Sequence, residues 1–136
     1  MTKPSPLRDF DYNVIEDILE EGLQMVYHAY LERRSPKLYG LWNPAEALVQ
    51  INPFLRRQEG KELEDVIILH EWLHAYGDLI LEVPNDRFRE EQIHWWAQWH
   101  CRQDPYVATY IRSFFVREGF WIAGSEKAVF RKKEAA

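Results

Sequence analysis

The sequence predicts an α+β fold, mostly helical, with a short β-sheet lying beside one central helix. Three observations predict it. Leu63 to Gly77, LEDVIILHEWLHAYG, is an apolar run with no Gly or Pro until Gly77, which is the text of a buried helix. Other segments repeat their apolar residues at three and four. Between the first of these and the central run, KLYGLWNPAEALVQINPFL holds short aromatic and β-branched stretches broken by Asn-Pro pairs, the composition of strands. With 136 residues, no repeat and no long linker, the chain reads as a single domain spanning 1–136. Such a chain buries roughly two-thirds of its unfolded surface, enough for one core and one site.

In chain order, residues 1–8 carry Pro4 and Pro6 and read as a flexible lead-in. From Asp11 to Arg33 the residues Ile15, Ile18, Leu19, Leu23, Val26, Tyr27, Tyr30 and Leu31 predict one amphipathic helix. Acidic residues start it, Arg33-Arg34 end it in accord with the helix dipole, and Ser35-Pro36 closes it. His28 has no ligand partner within a turn and takes a structural or surface role. Leu38 to Trp42 and Ala47 to Ile51 predict two strands, or one strand after an irregular segment, and Arg56 to Gly60 a polar loop. Glu62, Glu64 and Asp65 suit the start of the central helix. Asp86 is the expected N-cap of a helix running through RFREEQIHWWAQWHCR. After Pro105, Val107, Tyr110, Ile111, Phe114 and Phe115 predict a further core helix ending at Gly119. FWIAG and AVFRKK read as short strands or an extended tail, with Arg131-Lys132-Lys133 a solvated basic patch.

The central run contains H-E-x-x-H. In a chain of this composition a shuffled sequence would carry that pattern roughly 0.02 times. On a helix, His70 and His74 stack on one face, so two imidazoles converge on one point that suits a metal ion. Zn²⁺ accepts neutral imidazole nitrogen, and its catalytic sites use three protein ligands with a fourth position open. Glu71 is turned about 100° from His70 around the axis, where it can serve as a base and not as a ligand. A histidine pair hydrogen-bonded to carboxylates is the structural alternative.

The third ligand has to come from outside the motif. The metzincin continuation places a histidine where this chain has Ile80, and Asp78 is too close in sequence. The later helix offers Glu90, Glu91, His94 and His100. Glu90, Ile93, His94, Ala97 and Cys101 form one stripe suited to packing against the motif helix, so Glu90 is preferred, ahead of His94 and Glu91. If His94 is not a ligand it stands one turn from Glu90, as a group behind the ligands or an oxyanion donor. Tyr76 and Trp72 are further candidates for the oxyanion.

Composition excludes some classes. A net charge of −5 argues against a nucleic-acid partner held by phosphate neutralisation. The single Cys101 cannot form an internal disulfide and reads as a small buried side chain; with no apolar N-terminal segment, a cytoplasmic protein without a membrane anchor is expected.

Ile51-Asn52-Pro53-Phe54-Leu55, ELEDVIILHEWLHAY and REEQIHWWA together resemble a minimal gluzincin-type metallopeptidase, with the ImmA/IrrE-like peptidases of phages and bacteria nearest and the SprT-like peptidases second. In the first group a second helix carries E-x-x-A-N-x-F-A with the glutamate as third ligand; Glu90, Ile93, His94, Trp96 and Ala97 stand in those places. Ile93 and His94 depart from the pattern. The SprT-like third ligand is a histidine next to glycine, whereas His94 precedes Trp95. The resemblance covers roughly Ala47 to Ala97. It implies a zincin-like fold and zinc-dependent hydrolysis of a protein or peptide substrate, with His70, His74 and Glu90 as ligands and Glu71 as base. The rival expectation is a non-catalytic zincin-like module, its binding surface lined by Trp72, Trp95, Trp96 and Trp99.

Overall fold

The computed structural model describes residues 12–81 and 87–115. Ile15 and Ile18, both fully buried, anchor helix α1 (Tyr12–Glu20), which is far shorter than the helix expected over Asp11 to Arg33. Gly22 stops it. Its φ of +101° belongs to the left-handed region, and Gly22 N–H and Leu23 N–H donate back to the carbonyls of Leu19 and Ile18 at 3.0 and 3.4 Å. That pattern is a Schellman closure, with Leu23 and Ile18 both buried beside it. The chain leaves it as strand β1 (Gln24–Tyr27), and only a four-residue helix, α2 (Tyr30–Arg33), follows.

The two expected strands are present as β2 (Gly40–Asn43) and β3 (Leu48–Ile51), paired antiparallel with Gly40 opposite Ile51 and Asn43 opposite Leu48. Asn43 makes the turn between them, its Oδ1 accepting from the backbone N–H of Ala45 and Glu46. β1 pairs parallel with β3, so the order is β1-β3-β2 and β3, buried at every position, is the middle strand.

The expected polar loop at Arg56 to Gly60 is instead a short helix, α3 (Leu55–Glu59). Asn52, wholly buried, launches it: its Oδ1 accepts from Phe54 N–H at 2.9 Å, while its Nδ2 donates to Glu32 and to the Leu38 carbonyl. The motif run forms the 16-residue helix α4 (Lys61–Tyr76). It packs against α3, β2 and β3, and Ile68, Leu69, Trp72 and Ala75 are fully buried. At Gly77 the α-helix ends and one turn of π-helix, Gly77–Leu81, continues the chain. Helix α5 (Arg87–Gln103) follows, packed on α4, with Ile93 and Ala97 closing the contact. The last described helix, α6 (Tyr106–Arg112), also rests on α4. The molecule is therefore α+β, with α4 covered on most of its faces.

His28 is buried, its Nδ1 3.3 Å from Gln50 Nε2, in keeping with a structural role. Cys101 is only partly buried rather than enclosed. The lead-in, the Asp86 cap, Gly119, the FWIAG and AVFRKK strands and the basic patch lie outside the described residues. Among the described residues no helix is long and apolar enough to cross a membrane.

Candidate metal centre

Helical spacing puts His70 and His74 one turn apart on α4, their ring centroids 5.0 Å from each other. Glu90, in the first turn of α5, faces both. Its Oε1 lies 2.9 Å from His70 Nε2 and its Oε2 lies 2.8 Å from His74 Nε2, so one carboxylate spans the two rings. Among the described residues these three form the one group whose ligand atoms, all within 4.8 Å of one another, can hold a metal ion.

The donor chemistry fits a divalent cation. Two imidazole nitrogens and a carboxylate are the ligand set of open, three-ligand zinc sites. Both rings are buried, at 10 % and 7 % side-chain exposure, while the Glu90 side chain is 53 % exposed. Solvent therefore reaches the group from the α5 side. Burial, reinforced by His74 and opposed by Glu90, holds the His70 pKa down at about 4, which keeps its ring neutral and its lone pair available at pH 7. Partial burial pulls the Glu90 carboxyl up, but His74 and His70 outweigh it and leave it below its ordinary value.

His94 stands behind His70 and outside the three-ligand group. Its Nδ1 is 3.0 Å from His70 Nδ1, and the two rings meet edge-on at 5.1 Å. One of these nitrogens must donate and the other accept. With His70 Nε2 given to a cation, the proton belongs on His70 Nδ1 and His94 accepts it, which fixes both tautomer and ring plane.

Glu71 is not one of the three ligands: it turns its side chain toward β2, still near enough to Glu90 to feel its charge. The Glu71 side chain lies against β2 at Gly40, 8 % exposed, and desolvation, followed by the negative charge of Glu90, pushes its carboxyl up to about 8. Glu91 is exposed and outside the group, and His100 is buried against the Trp99 ring. Trp72 is fully buried and stacked on Tyr76 at 5.3 Å, so this pair belongs to the core. Of the four tryptophans grouped by sequence, only Trp95 is exposed.

Two neighbours escaped sequence reasoning. Trp42 Nε1 donates to Asp78 Oδ2 at 2.5 Å, tying the end of β2 to the π-helical turn that follows the motif helix. Gly40 touches Glu71. The signal for Gly40 was a glycine inside an aromatic strand, which marks a close approach; nothing in the sequence pointed to the Trp42 and Asp78 pair. No protein-family model matches the chain, and neither does any curated protein or solved structure.

Proposed function

We propose that the chain is a small cytoplasmic zinc metallopeptidase on the pattern of the ImmA/IrrE-like peptidases, with His70, His74 and Glu90 holding Zn²⁺ and Glu71 handling the proton. One observation carries the reading: two imidazole Nε2 atoms one helical turn apart converge on a single carboxylate from another helix, beside a buried glutamate. A structural zinc site normally has four protein ligands, whereas three with a solvent-facing side leave room for water and substrate. When bound, zinc supplies Lewis acidity, polarising a scissile carbonyl and making water a stronger acid.

The chain's own residues supply the rest. His94 holds the His70 ring through Nδ1. Glu71, which a cation bound beside it would hold in its carboxylate form, takes a proton from attacking water and delivers it to the leaving amine. A non-catalytic module would have no use for a glutamate at this position.

Glu71→Gln is expected to bind zinc with wild-type stoichiometry and lose hydrolysis of a quenched-peptide library by about 100-fold or more. Metal content by mass spectrometry of the native protein, with cleavage read with and without chelator, decides it. A wild-type chain that binds zinc yet cleaves nothing would replace this reading with that of a protein-binding module.

A further inference from the structure

Gly22 and Gly60 take positive φ angles, +101° and +106°, and both have open space where a Cβ would stand. Gly40 is the reverse. Its backbone is ordinary strand that any residue adopts, yet a Cβ there would lie 2.9 Å from Glu71 Cγ, 2.9 Å from Ile67 Cγ2 and 3.1 Å from Glu71 Oε2. Cβ atoms essentially never come within 3.0 Å of such neighbours. Neither neighbour can retreat easily: both are 8 % exposed, and the two crowded carbons sit one bond beyond Cβ on a helix packed against β2. Making room means moving α4 off the sheet or turning Glu71 to another rotamer. Glycine weakens a strand and offers it no side chain to pack. Its place in a four-residue strand follows from the close approach.

We propose that Gly40 is a positioning residue for Glu71: the gap left by its missing side chain seats the Glu71 side chain between α4 and β2, and so fixes where that carboxylate stands relative to His70, His74 and Glu90. The catalytic consequence rests on the reading of Glu71 as the proton-handling group. The seat itself does not.

Two experiments separate these. In metal-free protein, the stability cost of Gly40→Ala is measured in the wild-type, Glu71→Ala and Ile67→Ala chains by urea unfolding. In the wild-type chain the substitution should lower the folding constant about tenfold or more, the usual result of overpacking. With Glu71→Ala a substantial part of that loss should disappear, the remainder being the Ile67 contact. If the loss stays whole there and vanishes with Ile67→Ala, the gap serves packing alone and the proposal is overturned. Should Gly40→Ala fail to fold, a cooperative transition regained in the Gly40→Ala, Glu71→Ala double variant supports the seat, and its absence overturns it. In zinc-loaded protein, Gly40→Ala should keep zinc stoichiometry and KM while kcat falls by about 100-fold, the effect of misplacing a reacting group by an ångström. Lost zinc affinity with unchanged kcat would mean that Gly40 shapes the ligands instead, against the proposal. A wild-type chain that loads zinc and cleaves nothing removes the peptidase reading, and the stability cycle still decides whether Gly40 seats Glu71.

Discussion

At the scale of single residues, the contact between His94 and His70 carries the first prediction. A ring that binds a cation through Nε2 is oriented by whatever receives its Nδ1 proton, and such partners influence affinity by about 10–100-fold. His94→Ala should weaken zinc binding by about that factor in competition with a chromophoric chelator. His94→Asn should recover most of it, because an amide oxygen can accept the same proton; equal affinity in all three chains would deny His94 this role. Cys101 gives a second prediction. Burial, with the charge of Asp65 next, pushes its thiol from 9 up to about 12. At pH 8 the folded thiol should react with a disulfide reagent roughly 50-fold more slowly than the urea-unfolded one, since only the thiolate attacks and the greater nucleophilicity of a high-pKa thiolate offsets part of its scarcity. The folded pKa lies above the unfolded one, so the stability this contributes is complete below pH 9 and is lost as pH rises toward 12. Melting points of wild type and Cys101→Ala should accordingly converge or cross above pH 9. The residues of the centre were legible to different depths. His70 and His74 follow from spacing alone, and Glu90 from the stripe it shares with Ile93 and Ala97. The side of His70 on which His94 stands depends on how α5 crosses α4, which no single-helix pattern encodes.

Elements show where periodicity decides and where it does not. Between Asp11 and Arg33 both periods are satisfied: Ile15 and Ile18 repeat at three, while Leu23 and Met25 repeat at two, and all four are buried. Counting only threes and fours hides β1. The glycine within the run divides it, because Glu20-Glu21-Gly22 is a helix stop. Gly22→Ala is therefore expected to destabilise the fold by about 1 kcal/mol or more in chemical denaturation, as a Cβ is strained at a φ of +101° even though space around it is open. An unchanged midpoint would mean that the closure of α1 does not matter to the fold. The strands β2 and β3 and helices α4, α5 and α6 are long or apolar enough to declare themselves. α3 is not, since Leu55 is its one buried residue and the rest is charged or amide text that looks the same in a loop. What creates α3 is the side chain of Asn52, bonded to partners 14 and 20 residues away.

Over the whole molecule, α4 is held at both ends by different means. Near its start the carboxylates of Glu64 and Asp65 are buried, and Arg112 of α6 reaches both, at 2.8 Å for Glu64, with Lys61 adding a bond of 2.7 Å to Asp65. Near its other end stand His70 and His74. Arg112→Met should cost about 3–5 kcal/mol in urea unfolding, because it leaves two buried carboxylates without their main counter-charge. Zinc held as proposed would act from the opposite end: an ion that binds only the folded chain stabilises it by about 4 kcal/mol at a thousandfold excess over Kd. The two groups are separated by about 7.5 Å of helix at their nearest, Asp65 to His70, and by about 15 Å at their furthest, Glu64 to His74. Effects that far apart add to within about 0.5 kcal/mol unless the intervening element itself yields. α4 is enclosed by α5, α6, β2 and β3 and has no glycine before its π-helical end, so it should behave as a rigid rod. The zinc-induced gain in unfolding free energy should therefore be the same in wild type and Arg112→Met. A gain that shrinks in the variant by more than about 0.5 kcal/mol would show that loosening α6 disturbs the histidines, and that the centre depends on the ion network rather than on α4 alone.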